Sequence, residues 1–175
     1  MTTTLIDATT ASIGLLVARL VLGLLMAAHG SQKLLGWFGG HGLAATSGFF
    51  DSMGFRPGRF FATLASATEV VSGLLLALGF LGPIGPALMI SVMIVAAVSR
   101  HLKNGVFAAN NGIEVPLLYA AGALGILLTG PGDYSLDAIF GFGILSTPNI
   151  AWAALVIGVV GGLLNLLARR RPATA

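Results

Sequence analysis

Cysteine is absent from the 175-residue chain and charge is scarce, with only 9% of residues being Asp, Glu, Lys or Arg. The missing thiols exclude a disulfide, a thiol relay, an iron–sulfur cluster or a thiolate-held metal carried by this chain alone. The missing charge excludes a water-facing surface, because soluble domains carry about 25% charged residues. Basic runs interleaved with aromatics are also lacking, so the net charge of +3 does not point to nucleic acid. Met1 to Thr10 lacks the basic start of a secretory signal, and the apolar run that follows is longer than a signal core. That run reads as a retained first span.

What the chain has is apolar length, with 56% hydrophobic residues and 25 glycines. Five apolar segments stand out, at about 11–35, 59–81, 84–102, 115–129 and 150–168, separated by Pro83, Pro86, Asn104-Gly105, Gly130-Pro131-Gly132 and Pro148. The fourth is short for a bilayer and either borrows residues from Ile113 onward or tilts. Segment 39–55 carries Phe49, Phe50, Met53 and Phe55; it reads equally as a short interfacial helix, a re-entrant segment or an ordinary linker. Segment 134–142 puts Leu136, Ile139 and Phe140 on one side, which suits a helix lying at the opposite interface.

These features predict an all-α membrane protein of five spans. Its parts are a tail at 1–10, a four-helix core at 11–129, a connection at 130–149, a fifth transmembrane helix at 150–168 and a basic tail at 169–175. With five spans, Lys33, Arg56, Arg59, Arg100, Lys103, Arg169, Arg170 and Arg171 all fall on one side. By the bias of Lys and Arg toward the cytoplasm, that side is inside and the N-terminus is outside. Small residues such as Gly14, Gly23, Gly73, Gly158 and Gly162 allow close helix approach, within the chain or in a homo-oligomer.

The ionisable residues can then be placed by depth at about 1.5 Å per helical residue. Arg19 is the one ionisable residue between Ala11 and Ala28, about 12 Å below the outer end of the first span. Glu69 lies about 16 Å below the same end on the second, antiparallel span. An Arg19–Glu69 pair is therefore expected, as a structural pair or as the wall of a functional pocket, since each charge alone is costly in lipid. At the inner end His29 and Lys33 stand at i and i+4, Arg100 and His101 close the third span, and Glu114 opens the fourth. Two imidazoles, a carboxylate and several cations converge on one level, either as a site or as polar end-groups. Two histidines on facing helices can ligate haem. His29 and His101 meet only the depth condition, no third ligand is well placed and the neighbouring cations disfavour a metal; haem is disfavoured and no metal is expected.

The combination of Ala18-Arg19-Leu20, Leu22-Gly23, His29-Gly30 to Lys33-Leu34, Glu69 with Gly73-Leu74-Leu75, His101, Asn104-Gly105 and Glu114 resembles the DoxX family of small bacterial inner-membrane proteins. The resemblance spans about 11–129 and implies a four-helix bundle, with the helix at 150–168 an addition. Relatives include a subunit of thiosulfate:quinone oxidoreductase and a member that joins an oxidoreductase complex with a superoxide dismutase and a sulfurtransferase.

The expected function is a quinone-linked redox subunit. His29 would donate to a quinone carbonyl, Lys33 would stabilise a developing oxyanion, and Glu69 would complete the catalytic group. Arg19, His101 and Glu114 would line the binding pocket. Such a chain is at most an oxidoreductase subunit without a redox centre of its own, so electrons must come from a partner. The alternatives are a non-catalytic anchor that recruits soluble redox-stress enzymes, and a small-molecule or lipid carrier. The absence of inverted repeats counts against the carrier.

Overall fold

The longest helix sets the frame. In the computed structural model, which describes residues 8–170, α1 runs Ala8–Leu34, 27 residues. At 1.5 Å per residue it is about 40 Å long, more than the hydrocarbon core of a bilayer requires. A short α2 (Gly42–Ser52) follows, then α3 (Gly58–Leu78), α4 (Ile84–Ala96), α5 (Glu114–Thr129), a five-residue α6 (Leu136–Phe140) and α7 (Pro148–Leu167). No strand occurs among the described residues. The chain is thus an all-α membrane protein. Four helical stretches are long and apolar enough to cross a bilayer: α1, α3, α4 with its continuation to Asn104, and α7. The 16-residue α5 is apolar but shorter, about 24 Å.

Local chemistry explains the helix ends. Asp51 Oδ1 accepts the Gly58 N–H at 2.8 Å, capping the free amide at the start of α3. At the other end Gly79 takes φ +60°. Its N–H bonds Leu76 O while the Phe80 N–H bonds Leu75 O, the paired bonds of a glycine C-cap. Beyond Ala96 the helix widens into a π-helical turn, Ala97–His101, in which the Leu102 N–H reaches Ala97 O.

α1 packs most extensively on α3, and glycine sets the register. A Cβ on Gly23 would stand 2.5 Å from the Gly73 carbonyl oxygen, and one on Gly30 would stand 2.6 Å from that of Ser66. Contact this close needs residues without side chains. The facing residues pair as 23 with 73 and 77, and 30 with 66 and 70, so their numbers sum to 96–100. Arg19 therefore faces Gly79, where a Cβ would collide with its guanidinium. Glu69 faces the level of His29, ten residues or about 15 Å further along. The expected Arg19–Glu69 pair does not form. The expected depths put the start of α1 level with the end of α3, whereas α1 rises past the end of α3.

The core gathers Met26 from α1, Leu76 from α3, Met89 and Ile90 from α4, and Tyr119 and Ala123 from α5. α7 lies on α4, with Gly158 against Ala87 and Gly162 against Ser91 and Ile94. Its end returns to the α2–α3 loop, where the Arg170 N–H donates to Gly54 O at 2.9 Å and Arg169 Nε to Met53 O at 2.6 Å. Arg171 and residues 1–7, most of the expected N-terminal tail, lie outside the described residues.

Candidate functional site

Charge inside the bundle divides between its two ends. At the upper end, over α3, the segment after α5 folds back onto α1. Arg19, 1% exposed, donates from Nη2 to Tyr134 O at 2.5 Å. Asp137, 2% exposed, acts on it electrostatically without forming an ion pair, and Arg19 Nε and Nη1 have no hydrogen-bond partner among the described residues. Asp137 in turn accepts the N–H groups of Leu81 at 2.9 Å and Gly82 at 2.6 Å. Ser12 Oγ, a turn and more above Arg19, donates to Asp133 Oδ2 at 2.7 Å. Ser135 starts α6 by accepting the Ala138 N–H, which turns Asp137 inward while Ile139 and Phe140 face outward. This end is shut, and Arg19 belongs to it.

The lower end is open. Lys33 Nζ donates to Glu69 Oε1 at 2.5 Å, and Glu69 is 2% exposed. Glu69 Oε2 has no partner among the described residues. Two cavities meet at this ion pair. One of about 260 Å³ is bordered by His29, Lys33, Glu69, His101 and Tyr119, with Met26 and Met93 at its apolar side. The other, about 430 Å³, lies between α2, α3 and α4 and is bordered by Phe49, Phe50, Met53, Val92, Val95 and Arg100. Lys33, Glu69, Ala96 and His101 border both.

The two imidazoles are oriented by backbone carbonyls. His29 Nδ1 lies 3.0 Å from Leu25 O, and His101 Nδ1 lies 2.8 Å from Asn111 O. A carbonyl oxygen only accepts, so each Nδ1 carries a proton, and in the neutral form of each ring the accepting nitrogen is Nε2. Tyr119 meets His29 edge-on at 6.2 Å between ring centroids. The π-helical turn carries Arg100 and His101 to this place, and the Arg100 guanidinium lies 5.5 Å from the Phe49 ring centre. Glu114 is occupied elsewhere. Its Oε2 accepts the Ala108 N–H at 2.7 Å and organises the α4–α5 loop rather than bordering either cavity. No group of three or more His, Cys, Asp or Glu among the described residues is placed to hold a metal ion.

The family model described as DoxX matches residues 14–102, half of the chain. The chain belongs to the DoxX family. The match takes in Arg19, His29, Lys33, Glu69 and His101 and ends at the close of the π-helical turn, so α5 and α7 lie beyond the DoxX segment. No curated protein and no solved structure matches the chain.

Of the six residues expected at a site, the structure brings together His29, Lys33, Glu69 and His101, and places Arg19 and Glu114 apart. Tyr119 and Asp137 were missed. Asp137 had a signal: it and Asp133 are the two carboxylates in the connection after α5, close in order to the level where Arg19 needs an anion. Tyr119 gave none, since an aromatic within an apolar helix reads as core.

Proposed function

We propose that the protein is a multi-pass subunit of a bacterial inner-membrane oxidoreductase complex, with a quinone bound where the two cavities meet. The supporting observation is the Lys33–Glu69 ion pair at the border of a polar and an apolar cavity. Ligand sites are mostly apolar with a few convergent polar groups, and the cavities fit that pattern. A quinone head suits the side bordered by His29, His101 and Tyr119, with its tail between Phe49, Phe50 and Val95. When bound, the quinone takes up two electrons and two protons to become a quinol, the electrons coming from a partner oxidoreductase. For that reduction His29 and His101 would relay protons, taken up at Nε2, to the quinone oxygens, and Lys33 would hold the Glu69 carboxylate in place. The test is equilibrium binding of a short-chain ubiquinone analogue and of its quinol to the full chain in lipid nanodiscs. Saturable binding is expected, with the quinol, whose O–H can donate to His29 Nε2, weakened at least tenfold in His29→Ala. No saturable binding of either form, or quinol binding indifferent to His29, overturns the reading.

The same proposal makes α5 a tilted fourth span and α7 a fifth, with the Lys33 end in the cytoplasm. Reporters fused near Gly132 should then report the periplasm, and a reporter at Ala175 the cytoplasm. The opposite pattern at Ala175 would reverse the topology. One observation favours a second reading, an anchor for soluble redox enzymes: Arg56, Arg59, Lys103 and Arg170, which flank the helices at that end, are all exposed. Under it, soluble oxidoreductases would co-purify with the protein, leave on Arg56→Glu/Arg59→Glu, and ignore His29→Ala.

A further inference from the structure

We infer that the junction between the cavities prefers the reduced, hydroxyl-bearing form of its ligand, a quinol over the quinone; this rests on the proposed quinone site. The reason lies in hydrogen-bond polarity. Glu69 Oε2 is an acceptor with no partner among the described residues, on a side chain 3% exposed. A buried acceptor left unpaired is costly, and a donor that reaches it recovers that cost. In their neutral form both imidazoles bordering the cavity accept at Nε2, because their Nδ1 protons are committed to Leu25 O and Asn111 O. A quinone brings only carbonyl oxygens, which accept and cannot satisfy Glu69. A quinol brings two O–H groups, each able to donate.

The site's own donors do not reverse this. Lys33 has N–H groups beyond the one on Glu69 Oε1, and Tyr119 has a hydroxyl, so a ligand oxygen can be met from that side in either redox state. A quinol oxygen accepts as well as donates, so it loses none of these bonds and adds one to a carboxylate. Hydrogen bonds to charged groups favour the quinol by about ten- to a hundredfold. For a two-electron couple, a tenfold preference raises the potential of the bound ligand by about 30 mV, making the bound quinone the stronger oxidant.

The experiment compares three probes on the full chain in lipid nanodiscs without oxygen: a short-chain ubiquinone analogue, its quinol, and the dimethyl ether of that quinol. The quinol should bind at least tenfold tighter than both others. Glu69→Gln, and Lys33→Met/Glu69→Gln should the single variant fold poorly, should bring the quinol-to-quinone ratio to within about threefold. Equal or tighter binding of the quinone, equal binding of the ether, or an unchanged ratio in the variants overturns the inference and leaves the quinone site standing. Failure of all three probes to bind removes the site and the inference together.

Discussion

Two ends of one helix put charge inside the bundle and use it differently. Arg19 and Lys33 both lie on α1; Lys33 forms a direct ion pair with buried Glu69, whereas buried Asp137 acts on Arg19 across space without an ion pair. At the Arg19 end the carboxylate, Asp137, is consumed by backbone N–H groups of the α3–α4 turn, and the segment bearing it closes the bundle. At the Lys33 end one buried oxygen of the carboxylate has no partner among the described residues, and Glu69 borders a cavity on each side. A buried carboxylate is therefore no guide to function by itself. What separates a clamp from a site is whether the remaining lone pairs are taken by the protein.

The contrast can be broken at the clamp first, where the largest effect is expected. Asp137→Ala leaves the Leu81 and Gly82 N–H groups without their charged acceptor and takes a negative charge away from Arg19, and should cost about 3–5 kcal/mol of stability. Denaturation of the purified protein in detergent would show it, and a loss below about 1 kcal/mol would mean the clamp holds nothing. At the open end, Lys33→Met should cost less, about 1–2 kcal/mol, because Lys33 is partly exposed and its pairing screened. A double-mutant cycle with Glu69→Gln should show coupling, and additive losses would dissolve the pair.

Smaller effects sharpen the comparison. His29→Ala removes a ring that borders a cavity, so stability should change by less than about 1 kcal/mol while ligand binding falls. A large stability loss would make His29 part of the packing instead. Glu114→Gln should change least, since the amide oxygen can still accept the Ala108 N–H, and its effect on ligand binding should be under about twofold. A strong binding defect there would return Glu114 to the site.

Much of this was legible before any coordinates. The apolar runs became α1, α3, α4, α5 and α7 to within a few residues, because length and hydropathy are properties of each segment alone. The aromatic stretch at 39–55 resolved in favour of a helix, α2. His29, Lys33 and His101 could be grouped because each sits at a helix end, where depth is unambiguous. Register was not legible. Whether Arg19 meets Glu69 or Gly79 depends on how far one helix slides along another, and that is fixed by the fit of Gly23 and Gly30 into α3. Nor could the fold-back of Asp137 be read, since it belongs to a connection whose path depends on the gap α1 leaves above α3.

The π-helical turn at Ala97–His101 has a consequence for inheritance. Such a turn holds one residue more than an α-helical turn, and everything after it is set back by one position, about 100° around the axis. Arg100 and His101 owe their bearing to that surplus residue rather than to any substitution. Deleting Val98, which faces outward, would let the helix close into regular turns and swing His101 away from Glu69. A chain could thus gain or lose this imidazole through a single three-nucleotide deletion, with every cavity-lining side chain still encoded.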